Sequence, residues 1–128
     1  MDEAGRIELV IADDNLLVLR QMHELLSLEP DLKITGEARN GLDVVKLVDA
    51  HEPDLVLMDL KMPHMDGFET AERLRNDHPH LRIVFLTMYD NEEYRAKAQE
   101  LGADAYLLKG LPMREVLDTI KKSVQKNL

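Results

Sequence analysis

The sequence predicts an α/β protein: a doubly wound, five-stranded parallel sheet in the order 2-1-3-4-5, covered by helices on both faces as a three-layer sandwich. Three observations carry that expectation. The aliphatic runs Leu9-Val10-Ile11-Ala12, Leu55-Val56-Leu57-Met58 and Ile83-Val84-Phe85-Leu86 are the habit of strands buried on both faces, as in parallel sheets. Stretches of helical apolar period alternate with strand-like ones along the chain, the pattern of strand–helix–strand crossovers. The stretch from Lys33 to Ala38 alternates wet and dry residues, so it belongs at an edge while the driest runs fill the middle. Right-handed crossovers then reverse the strand order between strands one and three.

In chain order, the first strand is expected at about residues 7–12 and the first helix from Asn15 to about Leu28. That helix has Val18, Met22, Leu25 and Leu26 on one face, and Pro30 lies beyond its end. The edge strand occupies about 33–38; Asn40-Gly41 then makes a turn, and a second helix runs to about His51, stopped by Pro53. After the third strand, Asp66 and Glu69 stand at capping-box spacing, so helix three starts near Gly67 and ends before Pro79. Asp90 and Glu93 repeat the device for helix four, which Gly102 closes. Its apolar face is thin (Tyr94, Ala98, Leu101), so its packing is expected to be marginal. Strand five is about 105–108, and Pro112 suits the first turn of helix five, where Met113, Val116, Leu117, Ile120 and Val124 share a face.

At 128 residues, with 45% hydrophobic and 32% charged residues, one globular domain over residues 1–128, with a core of about 6–126, is expected. The chain has no cysteine, which removes disulfides, a thiol nucleophile and cysteine-bound metals. No signal peptide or apolar run of membrane-spanning length is present in the sequence given, so a cytoplasmic location and no membrane contact are expected. The formal charge of -9 argues against direct nucleic-acid contact by this chain.

Strand ends supply the candidate site. Asp13-Asp14 follow strand one, Asp59 follows strand three, Thr87 closes strand four and Lys109 follows strand five. All belong to the carboxyl edge, where open α/β sheets bind ligands. Three carboxylates crowded together raise one another's pKa unless a cation compensates, and oxygen-only donors favour Mg²⁺ over Zn²⁺. A carboxylate can also be a nucleophile that forms an aspartyl-phosphate. Mg²⁺ and Lys109 would neutralise the transferred group, and Thr87 would hydrogen-bond one of its oxygens.

The acidic pair, Asp59 in Asp59-Leu60-Lys61-Met62-Pro63-His64-Met65-Asp66-Gly67, and Thr87, Tyr106 and Lys109 in that order resemble the receiver domain of bacterial two-component response regulators. The resemblance covers about residues 6–126 and implies a flavodoxin-like fold. It implies that Asp59 accepts a phosphoryl group from a sensor histidine kinase or phosphotransfer protein. It further implies that Asp14, Asp59 and the backbone carbonyl of Lys61 hold Mg²⁺, with Asp13 acting through water. Thr87 would move toward the phosphoryl group, and Tyr106 would turn inward behind it. The surface of helix four, strand five and helix five would then switch, controlling an output domain or partner protein. Dimerisation on phosphorylation is left open.

Two departures stand out. Gly110 follows Lys109 where many receivers have a cis proline, so a looser loop is expected. With Leu111-Pro112 next, this resembles the subclass carrying a LuxR-type helix-turn-helix output domain. Met88 follows Thr87 and is expected to screen Asp59 in part, while Lys61 and Tyr89 flank the site and are expected to tune the phosphate lifetime. The chain stops after helix five, which fits either a single-domain regulator or, the favoured reading, a receiver from a longer protein.

Other readings remain beside these. Asp13 could serve mainly to cap helix one, with Asn15 sharing the role. Thr87 could be plain strand packing, and Tyr106 an ordinary half-buried aromatic. The five histidines show no ligand spacing, and His78-Pro79-His80 reads as a solvated loop. Met58, Met62 and Met65 read as gap-filling packing. Lys121, Lys122 and Lys126 are expected to complement the carboxyl end of helix five. A pseudo-receiver controlled by partner contacts would form no aspartyl-phosphate, and the intact acidic triad argues against it. A phosphatase with an Asp nucleophile would carry a second carboxylate where Lys61 stands, and a nucleotide- or flavin-binding protein lacks its glycine-rich loop after strand one.

Overall fold

A computed structural model describes residues 1–125. The elements alternate strictly: β1 (Ile7–Ala12), α1 (Leu16–Ser27), β2 (Leu32–Ala38), α2 (Gly41–His51), β3 (Leu55–Met58), α3 (Gly67–Asp77), β4 (Arg82–Thr87), α4 (Glu92–Glu100), β5 (Ala105–Leu108) and α5 (Met113–Gln125). The strands form one parallel sheet in the order β2-β1-β3-β4-β5, as the wet second strand and dry central runs predict.

Side-chain alternation along the strands builds two cores. Val10, Val56, Met58, Ile83 and Phe85 face α2, α3 and α4, whereas Leu9, Ile11, Leu55, Leu57 and Val84 face α1 and α5. A fully buried Leu, Ile or Phe contributes roughly 1.5–3 kcal/mol, so the central strands and α1, α2, α3 and α5 are firmly held. The only fully buried residue of α4 is Ala98, worth about 0.8 kcal/mol per buried carbon. Its packing is marginal, as its thin apolar face predicts.

Local chemistry sets the helix starts, with some differences from expectation. Asp66 caps α3 by accepting from the Glu69 N–H at 2.9 Å. Asn40 is not in a free turn: its side chain caps α2, accepting from the Asp43 N–H at 2.9 Å. At α4 the cap is Asn91, which accepts from the Tyr94 N–H at 2.8 Å, while Asp90 pairs with Arg95 at 3.0 Å. Adjacent Asp and Asn are nearly equal caps, and here the helix starts one residue later than the Asp90 spacing implies.

The buried stripe of α1 is Leu19, Met22 and Leu26; Leu25, expected inside, is 44% exposed. Gly102 ends α4 with a positive φ of 76°, its N–H reaching the Gln99 carbonyl at 3.0 Å. Lys121 lies 3.6 Å from Glu29 and 3.5 Å from Asp31, so it bridges to the α1–β2 loop instead of serving its own helix end. Lys126 and the tail of the expected 6–126 core lie outside the described residues. Half-buried His78 is bound to Asp49 at 2.8 Å, so only His80 of that pair is a solvated loop residue.

Candidate functional site

The ladder carries the acidic residues to one edge. The Asp59 N–H continues the pairing by donating to the Ala12 carbonyl at 3.1 Å, and the Asp13 N–H donates to the Ala38 carbonyl at 3.1 Å. Asp13 and Asp59 are buried and Asp14 is exposed; carboxylate oxygens of all three lie within 4.8 Å of one another. From the far side of β4, Lys109 inserts its ammonium 2.7 Å from Asp13 Oδ2 and 2.8 Å from Asp59 Oδ2.

The remaining groups are held closely. Asp59 Oδ1 accepts from the Leu60 N–H at 2.7 Å. The Leu60 carbonyl accepts from the Gly67 N–H at 2.7 Å, which locks the start of α3 against the loop. No side chain fits at Gly67: a Cβ there would sit 2.4 Å from the Asp59 carbonyl oxygen. Asp13 Oδ1 accepts from the Asn15 N–H at 2.9 Å, while the Asn15 side chain alone caps α1. Asp13 therefore shapes the turn and also faces the cluster.

Electrostatics follow burial. Burial pushes the Asp13 carboxyl above the ordinary carboxylate range, against the opposing pull of Lys109. Burial alone would depress the Lys109 ammonium, but hydrogen bonds to Asp13 and Asp59 outweigh it and raise its pKa. Three oxygen donor groups facing one ammonium leave a net negative space, and such a donor set suits a hard divalent cation.

The outer groups lie on β4, α4 and β5 and in the loops at the carboxyl edge of the sheet. Thr87 is fully buried and its hydroxyl accepts from the Tyr89 N–H at 3.3 Å. The half-buried Tyr106 hydroxyl donates to the Tyr89 carbonyl, and its ring meets Phe85 edge-on at 6.4 Å. Both sides of Tyr89 are thus committed. Met88 is 76% exposed. Gly110 adopts a φ of +99° with open space around it, a conformation glycine takes freely. The Lys61 ammonium donates to the Tyr94 hydroxyl at 3.1 Å, a contact across thirty-three residues that leaves no one-dimensional signal. The Arg39 guanidinium, equally silent in the sequence, donates to the Asp14 carbonyl at 3.2 Å.

A doubly wound sheet with an acidic cluster and an inserted lysine at its carboxyl edge defines an α/β protein of the signal-receiver class. The chain belongs to the response regulator receiver domain family, whose model matches residues 9–121. It is 36% identical over 119 residues to the response regulator protein VraR of Staphylococcus saprophyticus, covering 91% of this chain and 56% of that protein. It is 35% identical over 115 residues to the nitrate/nitrite response regulator protein NarL of Escherichia coli, covering 90% and 53%. The chain spans about half the length of the curated relatives it matches.

Among solved structures, a DNA-binding response regulator of the LuxR family from Staphylococcus aureus superposes with a TM-score of 0.88 at 32% identity, covering 92% of this chain and 98% of that one. The signal receiver domain of a NarL response regulator from Mycobacterium tuberculosis gives 0.90 at 28%, covering 94% and 98%. The response regulator domain of Thermotoga maritima CheB, at 23% identity and a TM-score of 0.82 over 94% of this chain and 95% of that one, shares the flavodoxin-like fold. No described helix is long and apolar enough to cross a membrane.

Proposed function

We propose that this chain is one receiver domain whose Asp59 accepts a phosphoryl group from a sensor histidine kinase or phosphotransfer protein in the cytoplasm. The observation that carries the reading is the position of the Asp59 carboxylate, 2.8 Å from the Lys109 ammonium and beside two further carboxylates. Asp59 attacks phosphorus in line; the new oxygen–phosphorus bond forms as the donor's bond breaks and the donor leaves with the electron pair. Lys109 binds an oxygen of the transferred group and Thr87 donates its hydroxyl to another, releasing the Tyr89 N–H as it moves.

Asp14, Asp59 and the Lys61 carbonyl would hold Mg²⁺, with Asp13 acting through water, and the ion would neutralise charge on the phosphoryl oxygens. Tyr106 turns inward behind Thr87. The surface of α4, β5 and α5 then changes its preference for an output domain or partner protein, α4 being the helix least held by burial. Gly110 and the LuxR-family likeness support a helix-turn-helix output. The chain catalyses its own phosphorylation from the donor and its own dephosphorylation, with Met88, Tyr89 and Lys61 around the entrance setting the lifetime.

Calorimetry tests the reading. Beryllofluoride with Mg²⁺ should bind the wild type at one site, and Asp59→Asn should abolish that binding. An unchanged isotherm in the variant would refute the assignment of Asp59.

A further inference from the structure

We propose that Lys61 is a positioning residue that ties α4 to the phosphoacceptor loop through an aromatic clamp made by Tyr89 and Tyr94. The proposal deepens the phosphoacceptor reading and rests on it. Helix α4 is anchored at its carboxyl end, where Ala98 is buried and Arg75 Nη2 donates to the Gly102 carbonyl at 2.9 Å. Its amino end has no such burial. Half-buried Tyr94 holds it, its ring meeting Phe68 at 5.7 Å and Tyr89 at 5.8 Å, both edge-on, while the adjacent Arg95 guanidinium lies 4.8 Å from the Tyr106 ring centre.

Lys61 closes this cluster. Its ammonium donates to the Tyr94 hydroxyl at 3.1 Å and lies 5.1 Å from the Tyr94 ring centre and 5.4 Å from that of Tyr89. Both rings are within cation–π range. An exposed lysine resting on one ring is commonplace; one ammonium held by two rings and a hydroxyl on separate segments is a tether. The Tyr94 hydroxyl holds the Lys61 pKa above its ordinary value. This cation sits two residues from Asp59, yet it is directed to the tyrosines and not into the carboxylates that Lys109 serves.

The tether reaches the acidic cluster through one peptide. The Leu60 N–H donates to Asp59 Oδ1 at 2.7 Å, so any group that takes up Oδ1 competes for that N–H and displaces the Leu60–Lys61 backbone. The displacement moves the ammonium against Tyr94, and hence the start of α4. It also moves the Tyr89 ring, whose backbone engages both Thr87 and Tyr106. Lys61 thereby reports occupancy of Asp59 to α4.

The chain has three tyrosines, so [¹³C]tyrosine labelling yields three ring environments, assignable with Tyr→Phe variants. In the wild type, Mg²⁺ with beryllofluoride should shift the Tyr94 signal. In Lys61→Met that signal should be displaced before ligand is added and should stop responding, and Lys61→Arg should restore the response. Without ligand, amides of α4 should exchange on the order of threefold to tenfold faster in Lys61→Met, while those of α2 stay unchanged. A Tyr94 response and α4 exchange identical in Lys61→Met and wild type would overturn the tether. Calorimetric binding with a silent Tyr94 in the wild type would also overturn it and leave the phosphoacceptor reading intact. Absence of binding in the wild type would overturn both.

Discussion

The Lys109 ammonium lies 2.8 Å from Asp59 Oδ2 across fifty residues of chain, and the same ammonium reaches Asp13 at 2.7 Å. One cation thus compensates two buried carboxylates. Removing it leaves like charges facing each other with little water between them. Lys109→Met should cost about 3 kcal/mol of stability in Mg²⁺-free buffer, and saturating Mg²⁺ should recover most of that by binding the folded state. Denaturant titrations with and without Mg²⁺ check both halves; an equal loss in the two buffers contradicts the charge argument.

Asp14 is the exposed member of the cluster, so its contribution is to ligand binding more than to folding. Asp14→Asn should weaken Mg²⁺ binding by about tenfold or more, since Mg²⁺ sites depend on one or two carboxylates. It should leave Mg²⁺-free stability unchanged or raise it by about 0.5 kcal/mol through reduced repulsion. Calorimetric Mg²⁺ titration together with a denaturation curve measures the pair of effects.

Two glycines at the same sheet edge should behave differently. A Cβ at Gly67 would lie 2.4 Å from the Asp59 carbonyl oxygen and 2.8 Å from Leu60 Cα, backbone atoms that cannot yield cheaply. Gly67→Ala should destabilise by about 1–3 kcal/mol and lower Mg²⁺ affinity by displacing the phosphoacceptor segment. At Gly110 the space is open and only the φ of +99° opposes a side chain; Gly110→Ala should cost about 1 kcal/mol with little change in Mg²⁺ affinity. Equal effects at the two positions would contradict this account.

Tyr106 supplies a pH signature. Burial raises its phenol above the ordinary value of 10.0, against the lowering influence of Arg95. A phenol that ionises less readily when folded contributes stability that is intact below 10.0 and lost as pH rises through the raised value. Between about pH 9 and about pH 11 the wild type should therefore lose more stability than Tyr106→Phe. Denaturation at the two pH values tests this, and the ultraviolet titration of the wild type minus that of Tyr106→Phe should show a phenol ionising above its ordinary range.

Much of this architecture is legible in one dimension because parallel strands buried on both faces are written as unbroken aliphatic runs. The runs ending at Ala12, Met58 and Leu86 locate β1, β3 and β4, and Asp13 and Asp59, which follow the first two, are brought together with Lys109. What escapes is finer than the period of the signal. On α1, Met22 and Leu26 are buried and Val18 packs against the core as the period predicts, but Leu25 faces outward and Leu19 takes the buried place instead. Asp90 and Asn91 are both competent caps, and only the backbone path selects Asn91. The Lys61–Tyr94 contact depends on tertiary approach alone, and no spacing rule reports it.

The most direct measurement is the intact mass of the protein after incubation with Mg²⁺ and acetyl phosphate. The wild type should gain the mass of one phosphoryl group, labile to hydroxylamine, and Asp59→Asn should gain none. A wild type that stays at its unmodified mass, or an Asp59→Asn variant that gains the same increment, would contradict the account.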